Sequence, residues 1–447
     1  MVADALRALE EQGGEVAAAL LAGGVEKLPT DGIPVYGGYE LRAGGDPRAL
    51  LDQALAELAP DAVLDLSDEP VLDYRRRHEL AAIALYHGVP YEGADFRFSP
   101  PPRPALCRRP SLAVIGTGKR TGKTAVAGFA ARTLKAAGLA PVVVAMGRGG
   151  PPEPEVLRGD EVELTPNDLI AFADQGKHAA SDYIEDALLA RVPTVGCRRC
   201  GGGLAGAVGR SNVAAGIELA NALPGDLLLL EGSGAALPPA HADAVVLVVP
   251  ANVPLEYLAG YMGPYRLLLA DAVVVTMCEE PFGSASQVST IRARIEDTFR
   301  PVERGPGEQR ELRVVRTVFR PTPARSVAGA SVVVATTAPE AAGAAISRHL
   351  EERYDCRVVG TSHSLSNRSR LMEELSALPK ADVLLCEVKA AAIDVAARWA
   401  LSGGLDVVFM DNEPVGVEGD DPVELILAAG DLAAGRFARS TPNEGRA

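Results

Sequence analysis

The sequence predicts an α/β fold with a mostly parallel central sheet, flanked by smaller N- and C-terminal α/β domains. Three observations predict it. Short, nearly all-apolar runs alternate with stretches of helical spacing, the pattern of a sheet buried on both faces. A glycine-rich turn joins one of these runs directly to a helix. Proline-rich stretches set the outer parts of the chain apart; the clearest is 98–110, FSPPPRPALCRRP, with five prolines in thirteen positions.

The chain has 447 residues, enough for two or three domains. The boundaries are expected near 105 and 325, the second where RPTPARSVA at 320–328 follows a strand-like run. Residues 1–105 open on a helix, Ala3–Glu11, with no strand before it. Further helical spacing covers Asp46–Leu58 and Arg75–Tyr86, and strand-like runs fall at Val16–Leu21 and Ala62–Leu66.

Residues 106–325 are the most legible. Strands are expected at Leu112–Ile115, Pro141–Ala145, Thr194–Cys197, Asp226–Leu230, Ala244–Val249 and Asp271–Val275. Helices are expected at Lys123–Ala137, Ser181–Ala190, Ala205–Leu223 and Ser286–Phe299. Ligands of such a sheet belong at the carboxyl ends of its strands. Residues 326–447 repeat the alternation with strands at Ser331–Ala335, Arg357–Gly360, Asp382–Cys386 and Asp406–Met410. Helices at Ala338–Glu352 and Lys389–Leu401 fit between them, and the tail after Ala438 reads as disordered.

Composition excludes several classes. The formal charge of −15 argues against general nucleic-acid binding. No apolar run is long enough for a transmembrane helix, and the N-terminus lacks the pattern of a secretory leader. Six scattered cysteines fit a reducing cytoplasm better than a disulfide framework. Only seven of the 44 basic residues are lysines, yet Lys119 and Lys123 share one short loop. Lysine is a compact charge that arginine does not replace well at a phosphate.

That loop is LAVIGTGKRTGKT at 112–124, a phosphate-binding loop (P-loop) between an apolar strand and a helix. Its glycines let backbone amides point inward, and the helix N-terminus adds positive potential. Gly116, Thr117, Gly118, Lys119, Thr121, Gly122, Lys123, Thr124 and Ala125 are the expected nucleotide contacts. The loop is one residue longer than the common form, since its first glycine is Gly116. Lys123 is expected to reach the β- and γ-phosphates, and Thr124 to ligate Mg²⁺. Lys119 and Arg120 are expected to stabilise charge in the transition state.

DLLLLEGSG at 226–234 is a buried strand ending in Glu231, where a P-loop protein places a metal-binding or water-orienting acid. The guanine signature Asn-Lys-x-Asp is absent after Ala272–Val275, which favours ATP. AMGRGGPPE presents Arg148 on a glycine turn, and GCRRCGGGLAGAVGR sets Arg198 and Arg199 beside three glycines, a second anion cradle. Cys197 and Cys200 form a lone C-x-x-C with neither a second metal pair nor a thioredoxin-like setting. Asp168, Asp174, Lys177, His178 and Asp182 share one polar stretch, a candidate source of one metal or substrate contact, while each alone reads as solvated surface.

Together GTGKRTGKT, MGRGGPPEPEV, GCRRCGGGLAG and LLLLEGSGAALPP resemble the cyclic 2,3-diphosphoglycerate synthetase family. Gly116–Thr124 and the Glu231–Gly234 turn also resemble dethiobiotin synthetase, of the same branch of P-loop proteins. The resemblance covers about residues 111–285, and DVLLCEVKAAAIDV at 382–395 extends it with less specificity. It implies an ATP- and Mg²⁺-dependent ligase that closes a phosphoanhydride between the two phosphates of 2,3-diphosphoglycerate. It also implies Lys119, Arg120, Arg148, Arg198, Arg199, Arg210 and Lys389 as candidate substrate cations, and a homodimer. Two alternatives stay open: another ATP-dependent kinase or ligase of the dethiobiotin synthetase type, and a nucleotide switch or metallochaperone using Cys197 and Cys200.

Overall fold

The computed structural model describes residues 2–23, 38–299, 302, 312–388 and 392–440. The N-terminal part runs α1 (Val2–Glu11), β1 (Ala19–Leu20), β2 (Leu41–Arg42), α2 (Pro47–Leu58), β3 (Val63–Leu64), α3 (Tyr74–Tyr86), β4 (Tyr91–Glu92) and β5 (Arg97–Phe98). β1 and β2 form a parallel pair, and β3, β4 and β5 a small mixed sheet. The strand expected over Val16–Leu21 is therefore only two residues long. α2 and α3 start where Asp46 and Asp73 accept hydrogen bonds from the Arg48 and Arg76 amides, both 2.9 Å.

The central part runs β6 (Ser111–Gly116), α4 (Lys123–Ala136), β7 (Pro141–Gly147), β8 (Glu155–Arg158), α5 (Pro166–Asp174), α6 (Asp182–Leu189), β9 (Pro193–Cys200) and β10 (Arg210–Ser211). It continues with α7 (Val213–Ala222), β11 (Leu227–Glu231), β12 (Ala244–Pro250), α8 (Glu256–Ala259), α9 (Gly263–Leu269), β13 (Ala272–Thr276) and α10 (Ala285–Phe299). The C-terminal part is β14 (Arg313–Pro323), β15 (Ser331–Ala335), α11 (Gly343–Tyr354), β16 (Arg357–Ser362), α12 (Arg368–Ala377), β17 (Val383–Glu387), α13 (Ile393–Ser402), β18 (Asp406–Gly416) and α14 (Pro422–Ser440).

Thirteen strands form one sheet, in the order β10-β9-β7-β11-β6-β12-β13-β14-β18-β17-β15-β16, with β8 also on β9. From β9 to β14 the strands are parallel. All residues of β6, β7, β11, β12 and β13 are buried, as their apolar composition requires. β6 lies between β11 and β12, so the chain leaves it toward opposite sides, and its carboxyl end is a switch point where ligands bind.

β14 joins the two halves. Residues 313–316 pair in parallel with β13, and residues 317–323 pair antiparallel with β18. The strand thus runs on into the proline-rich 320–328 stretch. α14 turns back onto the central half: Arg436 Nη1 donates to the Asp243 carbonyl at 2.8 Å and pairs with Asp271 at 3.1 Å. The N-terminal part docks through the buried residues of α3 on α9, and through Arg48 on Asp297 of α10 at 3.1 Å. The proline-rich linker is pinned as well, since Asn221 Nδ2 donates to the Leu106 carbonyl at 2.9 Å.

Two helix expectations, and the start of the tail expected to be disordered, are corrected. The helix expected over Ala205–Leu223 begins only at Val213, because Gly201, Gly206 and their glycine neighbours form a loop with φ of +72° and +90° at those two positions. The helix expected at Ala338 follows Pro339 as one 3₁₀ turn, Glu340–Ala342, before α11. α14, which is not among the expected helices, runs through Ser440, two residues into the tail expected to be disordered after Ala438, while 441–447 lie outside the described residues. Among the described residues, no helix is long and apolar enough to cross a membrane.

Candidate active site

The phosphate-binding loop leaves β6 at Gly116 and enters α4 at Lys123. A Cβ at Gly116 would lie 2.7 Å from Lys123 Cδ and 2.9 Å from Thr121 Oγ1, so only glycine lets the loop fold back over the lysine. Lys123 is 7% exposed, and its Nζ donates to the Gly118 carbonyl at 2.9 Å and to Thr121 Oγ1 at 3.3 Å. Thr276, at the end of β13, donates from Oγ1 to the Thr121 carbonyl at 2.9 Å and pins the loop from below. Thr117 is buried with its hydroxyl unpartnered among the described residues. Lys119 and Arg120 are exposed, and Ala125 is half-buried in the first turn of α4.

Gly122 has φ +86°, and a Cβ there would collide with the Phe319 ring of β14. Gly122→Ala is therefore expected to lower stability by about 2–4 kcal/mol, through backbone strain plus overpacking. Urea denaturation reads this directly. Adding Phe319→Ala should relieve the steric part and leave the backbone part; a single variant as stable as wild type would refute the account.

Glu231 closes β11 at 1% exposure, and its Oε1 accepts a 2.5 Å hydrogen bond from Thr124 Oγ1. Asp182, the first residue of α6, brings Oδ1 to 3.5 Å from the same hydroxyl. Thr124, Asp182 and Glu231 thus form one oxygen cluster beside the loop. Of the polar stretch at 168–182, Asp182 alone joins it. Asp168 caps α5 with Thr165, Asp174 pairs with Arg398, Lys177 pairs with Glu155 at 2.6 Å, and the His178 ring lies against Gly149.

Arg199, in β9, is 5% exposed and has no ion pair among the described residues. Its Nη1 donates to the Gly201 carbonyl at 2.9 Å and its Nη2 to the Ser233 carbonyl at 2.7 Å, while its buried Nε has no partner among the described residues. Burial, reinforced by the neighbouring Arg148 charge, holds its pKa below the ordinary arginine value. A Cβ at Gly234 would lie 3.1 Å from Arg199 Nη2 and 3.6 Å from Lys119 Cγ, so this glycine lets the two cations approach across the turn after Glu231. Arg198 is exposed and points elsewhere, donating from Nε to the Gly150 carbonyl at 2.7 Å. Arg210 is exposed on the edge strand opposite Cys200. Lys389 lies outside the described residues.

The structure corrects the C-x-x-C alternative. Residues three apart on a strand face opposite ways, and Cys197 is 1% exposed in the core while Cys200 is exposed. Among the described residues, no group of three or more His, Cys, Asp or Glu is arranged to hold a metal. Burial pushes the Cys197 thiol up to about 12. Iodoacetamide at pH 8 should label Cys200 of the folded protein and leave Cys197 untouched, because the shift alone cuts its thiolate fraction by roughly 10³. Peptide mass mapping decides it; equal labelling would contradict the burial described here.

A strand-to-helix glycine loop at the switch point of a parallel sheet, with a buried lysine and a hydroxyl–carboxylate cluster beside it, defines a P-loop nucleotide-binding enzyme. The comparisons with known proteins narrow that class. Family models for the N-terminal, P-loop and C-terminal domains of cyclic 2,3-diphosphoglycerate synthetase match residues 1–99, 111–303 and 323–413. A Rubrobacter xylanophilus protein of that name is 47% identical over 437 residues, covering 98% of this chain and 95% of the relative. The Methanothermobacter thermautotrophicus protein is 44% identical over 96% of this chain and 92% of its own length. The one from Methanothermus fervidus is 43% identical over 90% and 87%. The chain belongs to the cyclic 2,3-diphosphoglycerate synthetase family.

Proposed function

We propose that this chain closes 2,3-diphosphoglycerate into its cyclic phosphoanhydride with ATP, releasing ADP and phosphate. The observation that carries the reading is the set of cations beside the Thr124–Asp182–Glu231 cluster. Arg199, Lys119 and Arg148 gather there, and none forms an ion pair among the described residues. Such a set suits a dense polyanion. Holding two phosphates about 4 Å apart costs on the order of 4 kcal/mol per unit-charge pair at an effective dielectric near 20. Arginine offers paired donors to phosphate oxygens.

The reaction balances in two steps. An oxygen of one substrate phosphate attacks the γ-phosphorus, breaking its bond to the oxygen that leaves with ADP. An oxygen of the other substrate phosphate then attacks the phosphorus of the activated one, breaking its bond to the bridging oxygen and expelling phosphate. Lys123 offsets charge on the transferred phosphoryl group. Lys119 and Arg199 hold the two substrate phosphates within reach, with Arg120 and Arg148 at the rim. The three hard oxygen donors fit magnesium, which prefers few protein carboxylates and the nucleotide's own oxygens. Held by Thr124, Asp182 and Glu231, it would neutralise β- and γ-phosphate charge.

Phosphorus NMR of the protein with MgATP and 2,3-diphosphoglycerate tests the reading. A new phosphoanhydride signal growing in step with ADP and phosphate is the expected result; ATP consumed without that signal would overturn the substrate assignment. The same reading includes a homodimer, testable by analytical ultracentrifugation, and a cytoplasmic location.

A further inference from the structure

Arg266, in α9, is 2% exposed and heads the largest fully buried side chains. Among the described residues it has no carboxylate partner. Its partners are backbone carbonyls of three loops. Nε and Nη2 donate to Ala235 at 2.9 and 2.6 Å, and Nη2 also to Leu204 at 3.0 Å. Nη1 donates to Met262 at 2.9 Å and Tyr261 at 3.2 Å, two residues held at φ +57° and +48°. Burial draws its pKa down to about 10, which leaves it charged at neutral pH. A buried cation without a counter-ion is costly, and an apolar side chain of similar volume fills a core more cheaply. Filling the core therefore does not account for it.

What Arg266 does is repeat, at the core end, a connection that Arg199 makes at the site end. Arg199 bridges the Gly201 and Ser233 carbonyls, and Arg266 bridges those of Leu204 and Ala235. Both guanidinium groups tie the glycine-rich loop to the turn that follows Glu231. Between them the Leu237 amide donates to the Gly206 carbonyl at 2.9 Å. The Arg199 head is set by carbonyls whose own positions depend on the far end of this double loop.

We infer that Arg266 is a positioning residue for substrate binding: it fixes the 204–206 and 233–235 segments and thereby orients Arg199 toward a substrate phosphate. The inference rests on the reading that Arg199 grips 2,3-diphosphoglycerate.

The test uses wild type, Arg266→Lys, Arg266→Met, Arg199→Lys and the Arg199→Lys/Arg266→Lys double variant. Calorimetry measures 2,3-diphosphoglycerate affinity in the presence of magnesium and a non-hydrolysable ATP analogue, and nucleotide affinity separately. Arg266→Lys should weaken substrate binding by about 10- to 100-fold while nucleotide affinity stays within about twofold. The double variant should be no weaker than the weaker single by more than about threefold, because both changes act through one group. Arg266→Met leaves the Ala235, Leu204, Met262 and Tyr261 carbonyls without their donor, so it should melt lower than wild type and bind substrate poorly; wild-type substrate affinity in that variant would overturn the inference. Wild-type substrate affinity in Arg266→Lys, parallel loss of nucleotide binding, or additive losses would each overturn the inference. Wild type that binds 2,3-diphosphoglycerate without cyclising it would sink the proposed reaction alone. Wild type that fails to bind it would sink both.

Discussion

Lys123→Met is expected to reduce ATP turnover by roughly 10³-fold with little change in melting temperature. Methionine preserves most of the stem that lies against Gly116 and removes the ammonium that reaches the Gly118 carbonyl and Thr121 hydroxyl. In the resting loop those two contacts hold the lysine over the turn. In the proposed reaction the same charge would follow the migrating phosphoryl group. Stopped assays of ADP release, run beside thermal unfolding, separate chemistry from folding. A variant within about tenfold of wild type would mean that the loop binds phosphate without this lysine acting in transfer.

Glu231→Gln is the second large effect, expected at about 10²- to 10³-fold in turnover. Glutamine keeps the shape at the end of β11 and still accepts from Thr124 Oγ1, so the sheet should remain intact. What it loses is a carboxylate at 1% exposure, the feature of the oxygen cluster that a divalent cation would recognise in the proposed reaction. The loss should therefore come with a higher magnesium requirement, read by titrating Mg²⁺ at fixed ATP. Reduced turnover at an unchanged magnesium midpoint would assign Glu231 to orienting a reactant, and an unchanged rate would remove it from the site.

The sequence made the parallel strands and the loop legible for local reasons. Val142–Val144, Leu227–Leu230 and Val245–Val249 are apolar at every position, which only a doubly covered strand tolerates. Glycines followed by Gly122-Lys123-Thr124 carry their meaning in adjacent residues. What escaped was long-range. Asp182 is 58 residues from Thr124 and looked like one of several solvated acids. Phe319 seals Gly122 from a strand that had seemed to be a domain edge. Arg266 sits in a short helix whose four-residue neighbour, α8, has too few turns to show a period. The 205–212 segment reads as helical because Ala205, Ala207 and Val208 are apolar, but its glycines serve a loop held by carbonyl contacts that no periodicity encodes.

The strand β14 has a mechanical consequence. One stretch of backbone serves as outer rail for the nucleotide half and inner rail for the C-terminal half, with Phe319 wedged under the loop between them. Such a splint transmits displacement rather than absorbing it, since packed interiors have little compliance. A swing of the C-terminal half would drive the ring into Gly122. Cutting the chain after β14 would leave a raw, unpaired sheet edge and expose the protein to self-association.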